Sequence, residues 1–211
     1  MTHYNTPRVV AFGCSCTYGE ALSDCYDAVN GGAGPHPSKL AWPQLLANKL
    51  NYSCINLGEP ALSNAGILFK LLNFKFESDD LCFIMWTYKT RDIVFQPNGE
   101  HKNLGRWTKE WLDNQDMYNM VIKNKLHMHH AQLYLESKGI SFYSMDVDYY
   151  KWHPLDHIIP KWARNLKLEN FNFEMLEKKF PLALDGVHFG EDCHKEIADK
   201  LYNKIVGETN A

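Results

Sequence analysis

Long hydrophobic runs are missing from this sequence: no stretch approaches the roughly 18 apolar residues that cross a bilayer, so no membrane-spanning helix is expected. A charge bias is missing too. The 22 Lys and Arg residues face 25 Asp and Glu, for a net charge of −3 with no long run of one sign. That leaves no basic footprint for a nucleic-acid phosphate backbone, and nucleic acid is not an expected partner. The opening residues lack the basic start and apolar core of a secretory signal, so no signal peptide is expected. Repeats and low-complexity tracts are absent. Cysteines number six, and none falls in a C-x₂₋₄-C pattern followed by H-x₃₋₅-H. Cys14-x-Cys16 with Cys25 and His36 therefore makes a poor zinc site, and neither metal nor cofactor is expected. Cys54 and Cys82 sit in apolar strand-like runs, where small buried thiols are common, which favours reduced thiols and a reducing compartment such as the cytoplasm.

What is present reads as one α/β domain over residues 1–211. Apolar, β-rich runs recur at Arg8–Phe12, Ser53–Leu57, Leu81–Trp86 and Ile140–Met145. Helical patterns lie between them, so the expectation is a parallel sheet covered on both faces. Trp42–Leu50 reads as a helix with Pro43 in its first turn, and Ser63–Phe74 as another, capped by Ser63 or Asn64. The polar, aromatic stretch Gln96–Asp116 reads as a long loop or insertion. Tyr118, Ile122, Leu126 and Leu133 mark a long amphipathic helix over Met117–Lys138, and Ile197, Leu201 and Ile205 mark a last helix starting near Asp192. Asp148–Lys179 is aromatic and irregular.

Two fragments carry chemistry. The apolar strand Val9–Phe12 runs straight into Gly13-Cys14-Ser15-Cys16-Thr17-Tyr18-Gly19. Such a strand end in an open α/β sheet is where nucleophiles and ligands sit. A serine capping an ordinary strand-to-helix turn would read the same way. Near the other end, Asp185-Gly186-Val187-His188 spaces a carboxylate and an imidazole three positions apart on a tight turn. There the carboxylate can accept one ring N–H while the other nitrogen faces a nucleophile. A capping Asp beside a surface His is the plainer alternative. His127 and His130, one turn apart in the expected long helix, read as a packed or surface pair.

Together these fragments resemble the first and last blocks of the SGNH, or GDSL-type, hydrolases. Ile55–Asn64 (I-N-L-G-E-P-A-L-S-N) resembles the second block, and the preceding A-W-P-Q-L-L-A-N-K-L resembles the helix before it. The resemblance implies a three-layer, flavodoxin-like fold with about five parallel strands. It also implies a catalytic triad of Ser15, Asp185 and His188. Three departures stand out. Cys14 holds a position where the family has Asp, and Ala61 falls on the second-block glycine whose backbone N–H serves an oxyanion hole. The third block reads Trp86-Thr87-Tyr88-Lys89-Thr90-Arg91, without the family's asparagine amide. The expected hole is then the backbone N–H groups of Ser15 and Ala61 with the Thr87 hydroxyl as third donor. Arg91 is a candidate for an anionic substrate group.

The W-T-x-x-x-R variant also resembles SGNH proteins of phage-type genomes, which extends the expected location from the cytoplasm to the virion. The function these readings imply is a serine esterase that removes short acyl groups, foremost O-acetyl from a carbohydrate, with a small-molecule or glycan ester as substrate. Trp107, Trp111, Tyr149, Tyr150, Trp152 and Trp162 would suit stacking on sugar rings. The rival reading is a catalytically weakened module of the same fold that binds carbohydrate or serves a structural role. Oligomeric state is left open.

Overall fold

A computed structural model describes residues 6–29, 31–98, 100–105, 107–109, 116–148, 169 and 173–209. Its centre is a parallel sheet of four strands: β1 (Arg8–Gly13), β4 (Ser53–Asn56), β5 (Leu81–Trp86) and β8 (Ser141–Asp146), in the order β4-β1-β5-β8. The two inner strands are the two most apolar runs. Val9 to Phe12 and Cys82 to Trp86 are buried without interruption, as strands covered on both faces require. The outer strands mix exposed and buried positions. A parallel bridge pairs Met145 with Glu169; among the described residues the sheet has four strands where about five were expected. Two small antiparallel ribbons complete the strands: β2 (Tyr26–Asp27) with β3 (Gly32–Ala33), and β6 (Asp92–Phe95) with β7 (His101–Leu104).

The helices are α1 (Ser15–Tyr18), α2 (Trp42–Leu50), α3 (Asn64–Asn73), α4 (Met117–Lys138), α5 (Phe173–Lys179) and α6 (Glu191–Thr209). Their ends obey local chemistry. Pro43 sits in the first turn of α2, where its missing N–H costs nothing, and Ser63 caps α3 by accepting the Gly66 N–H at 3.2 Å. Asp116 caps α4 in the same way through the Asn119 N–H, and Gly139 ends it in the left-handed conformation, φ +67°. Helices α2 and α6 pack on each other, and α3 packs on α4; apolar side chains of these helices join β1 and β5 in one core. Among the described residues no helix is long and apolar enough to cross a membrane.

Two expectations need correction. The stretch after Gln96 is not all loop, since His101–Leu104 closes a hairpin on Asp92–Phe95. Helix α4 exists, but Tyr118, Leu126 and Leu133 point to solvent; Met120, Val121, Asn124, Met128, Ala131 and Leu135 face inward. The apolar residues of α4 occupy more than one face, so periodicity alone did not single out the buried one.

Candidate active site

The turn after β1 is shaped by what cannot fit there. A Cβ on Gly13 would lie 2.0 Å from Thr17 Oγ1 and 3.0 Å from the Met85 carbonyl, so only glycine lets the strand pass into α1. Ser15 opens α1. The amides of Thr17 and Tyr18 both bond the Cys14 carbonyl at 2.9 Å, so the Ser15 N–H stands ahead of the first intrahelical bond. The segment after β4 folds against this turn. Asn56 Nδ2 donates to the Thr17 carbonyl at 2.7 Å, and a Cβ on Gly58 would meet the Tyr18 amide nitrogen at 2.6 Å. Ala61 follows with φ +61°, the left-handed region that L residues enter at a cost, which accounts for the glycine usual at this place in the second block.

The Ser15 side chain is buried, and its Oγ contacts the Cys14 sulfur at 3.8 Å; no hydrogen bond joins it to His188. Cys14 is itself surrounded by donors. The hydrogen bond from the Cys16 thiol pulls its pKa well down, helped by the Arg91 charge and the Thr87 hydroxyl and opposed by burial. Thr87 lies at the C-terminal end of β5, buried. Its backbone N–H and C=O are both held by the Asn64 side chain, at 2.7 and 3.0 Å, and its Oγ1 accepts from Arg91 at 3.0 Å. Arg91 is sandwiched against the rings of Tyr88 and Trp107, at 5.2 and 5.7 Å from their centroids.

Asp185 and His188 do meet. Asp185 Oδ2 accepts from His188 Nδ1 at 2.6 Å, while its Oδ1 accepts the backbone N–H groups of Val187 and His188 at 2.9 and 3.0 Å. Burial pushes this carboxyl up, but those three bonds outweigh it and hold the pKa below the ordinary value. The turn is docked on the first block by a bond from the Leu184 N–H to the Ala21 carbonyl at 3.1 Å. One residue before Ala21 stands Glu20, whose Oε2 lies 3.6 Å from His188 Nε2. Sequence reading passed over this acid; the only signal was a carboxylate following directly on the first-block glycine. Burial raises the Glu20 pKa, with Asp185 and Cys14 adding to the rise and His188 and Arg91 opposing it.

The structure thus gathers Asp185, His188 and Glu20 on one side, and Ser15, Cys14, Thr87 and Arg91 on the other, with Glu20 five residues along the chain from Ser15. Among the described residues no three His, Cys, Asp or Glu side chains gather as a metal ion would need. All six cysteines are free thiols.

No family model and no curated protein matches the chain in sequence. Solved structures match it in fold. A lipolytic protein of the G-D-S-L family from Desulfitobacterium hafniense superposes with a TM-score of 0.56 at 12% identity, over 93% of this chain and 98% of its own. The chain has the fold of the SGNH hydrolases. The same SGNH architecture appears in a carbohydrate esterase whose active site displays divergent catalytic and non-catalytic binding functions, with a TM-score of 0.60 at 13% identity over 98% of this chain and 67% of that one. It appears again in the acetyl xylan esterase Est2A from the rumen bacterium Butyrivibrio proteoclasticus, with a TM-score of 0.59 at 11% identity over 98% of this chain and 65% of that one.

Proposed function

We propose that this chain is a serine esterase that removes short acyl groups, with O-acetyl on a carbohydrate as the substrate class. The observation that carries the reading is the Asp185–His188 pair: a 2.6 Å hydrogen bond on a turn whose carboxylate is fixed by two backbone amides. An ionised Asp185 keeps the proton of His188 on Nδ1, which leaves Nε2 as the base. Ser15 Oγ turns from the Cys14 sulfur to Nε2, gives up its proton and attacks the ester carbonyl. Catalytic hydrogen bonds of this kind often form only once substrate binds. The carbonyl oxygen gains negative charge and takes hydrogen bonds from the N–H groups of Ser15 and Ala61. The Thr87 hydroxyl, which already accepts from Arg91, swings its proton from Cys14 to supply the third. The imidazolium then protonates the leaving alcohol, and water enters by the same route to release the acid.

Carbohydrate is favoured by the exposed Trp107 ring stacked on Arg91 beside Thr87, and by the carbohydrate esterases among the structural neighbours. Trp111, Tyr149, Tyr150, Trp152 and Trp162, expected to serve the same purpose, lie outside the described residues. The test is hydrolysis of acetyl, butyryl and octanoyl esters and of an acetylated glycan. Preference for acetyl supports the reading; preference for octanoyl contradicts it. A second reading has its own support, because Ser15 contacts Cys14 and His188 Nε2 faces Glu20: a module that kept the fold and binds glycan without turnover. A fluorophosphonate probe separates the two, since a binding module leaves Ser15 unlabelled.

A further inference from the structure

A cavity of about 50 Å³ lies between the β5–β6 connection and the first turns of α4, lined by Lys89, Arg91, Asp92, Lys123, His127 and the amide of Asn119, among others. By the volume a buried water needs, it holds roughly three to five waters or one small polyatomic ion. Three cations against one carboxylate leave the lining with a net charge of +2. Asp148, 3.4 Å from Lys89 Nζ, lowers that to +1 when counted with it.

The individual groups show why the balance matters. Lys89 is buried, and desolvation pushes its pKa down to about 8 even though Asp148 and Asp146 pull the other way. Lys123 is half exposed and paired with Asp92, which lines the same cavity. Arg91 spends one N–H on Thr87 and its faces on two aromatic rings. Among the described residues it has no carboxylate partner, so the other donors of its planar fork are uncommitted. His127 is the second, independent sign: its Nδ1 is buried without a hydrogen-bond partner. Burial, with the Lys123 and His130 charges adding to it and Asp92 opposing, takes this imidazole down to about 4, so it is neutral at pH 7 and carries a single N–H. A buried polar atom without a partner is costly, and in the tautomer that protonates Nδ1 an acceptor oxygen would relieve it.

We propose that this cavity is a binding subsite for an oxyanion, a phosphate, sulfate or carboxylate group, held by Arg91, Lys89 and Lys123 with His127 in its wall. Arg91 connects it to the catalytic serine. The same guanidinium that lines the cavity donates to Thr87, whose hydroxyl reaches Cys14 next to Ser15. An ester whose acid or sugar portion carries the anion would place that group here while its carbonyl meets Ser15. This substrate arm rests on the esterase reading above; binding of a free anion does not.

The experiment has two arms, distinguishing a free anion from one borne by the substrate. In the first, inorganic phosphate and sulfate are titrated at constant ionic strength while the thermal midpoint and the His127 imidazole resonances are followed. In the second, kcat and KM are compared for an O-acetylated uronic acid and the matching neutral acetylated sugar. Wild type, Lys123→Gln and Arg91→Gln are tested in both, with circular dichroism to check folding; Lys123, half exposed, is the safer of the two. A saturable rise in midpoint with a shift at His127, reduced by more than half in both variants, supports a free-anion site. A tenfold or greater preference for the anionic ester, carried by KM and lost in both variants, supports a substrate subsite. No saturable anion effect and no preference for the anionic ester in wild type overturns the inference, as does an effect that both folded variants retain. Labelling of Ser15 by a fluorophosphonate tells these outcomes from failure of the esterase reading.

Discussion

The imidazole of His188 stands between two carboxylates, with Nδ1 2.6 Å from Asp185 and Nε2 3.6 Å from Glu20. The two acids differ in setting. Asp185 is held ionised by three hydrogen bonds, whereas burial works against ionisation of Glu20. In the esterase account Glu20 attracts the imidazolium that forms during acylation more strongly than the neutral ring before it, so it favours the transition state.

Glu20→Gln should therefore lower kcat by roughly tenfold, as loss of one close charge contact in a partly screened site implies. The pH profile gives the sharper check. Because burial raises the Glu20 pKa, part of the wild-type activity should be lost as pH falls through that raised value, and the Gln variant should lack that part of the acid limb. An identical acid limb in both proteins would show that Glu20 takes no part.

For Asp185 the sign runs the other way. Its folded-state pKa lies below the ordinary value, so its hydrogen bonds stabilise the fold above about pH 4 and lose that effect as pH falls through the depressed value. Asp185→Asn should cost about 1 kcal/mol near neutral pH, and the gap in thermal midpoint from wild type should narrow below pH 4. In hydrolysis the same change should lower kcat by roughly 10⁴, as loss of the correct imidazole tautomer does in serine proteases.

Ala61 tests the second block. At φ +61° a glycine relieves strain and a β-branched residue worsens it. Ala61→Gly should keep activity and leave the thermal midpoint equal or higher. Ala61→Val should destabilise by about 1–3 kcal/mol and reduce kcat, because the N–H at this position moves. Equal midpoints for all three proteins would contradict the strain argument.

Thr87 decides the third oxyanion donor. Thr87→Val should lower kcat by roughly tenfold to a thousandfold with KM nearly unchanged, since the interaction exists mainly in the transition state. An unaffected kcat would leave the hole with the Ser15 and Ala61 amides alone.

The strands were legible where the physics is local. Val9–Phe12 and Cys82–Trp86 are unbroken apolar runs because both faces of the inner strands are covered, and the cap Ser63 stands at the helix end it marks. Helix α4 was legible as a helix but not in its orientation. Its buried face includes Asn124, which is satisfied by Asn64 and by the carbonyls of Met120 and Lys89, and no periodicity rule assigns an asparagine to a core. The β6–β7 hairpin escaped notice because β7 is polar and the apolar Val94 and Phe95 of β6 face solvent, so neither strand reads as a core run. In the site, Asp185 and His188 lie three residues apart and could be read as a pair. Glu20 with His188, and Lys89 with Asp148, are brought together only by the folded chain.

The central claim is that Ser15 is an activated nucleophile. Its most direct measurement is the intact mass of the protein after brief exposure to a fluorophosphonate, with the modified residue located by peptide sequencing, in wild type, Ser15→Ala, Cys14→Ser and Cys16→Ser. The account predicts one adduct per chain on Ser15 in wild type and both cysteine variants, none in Ser15→Ala, and a parallel loss of acetyl-ester hydrolysis in Ser15→Ala alone. An unlabelled Ser15 in folded wild type, or a Ser15→Ala variant that still turns over while Cys16→Ser does not, would contradict it.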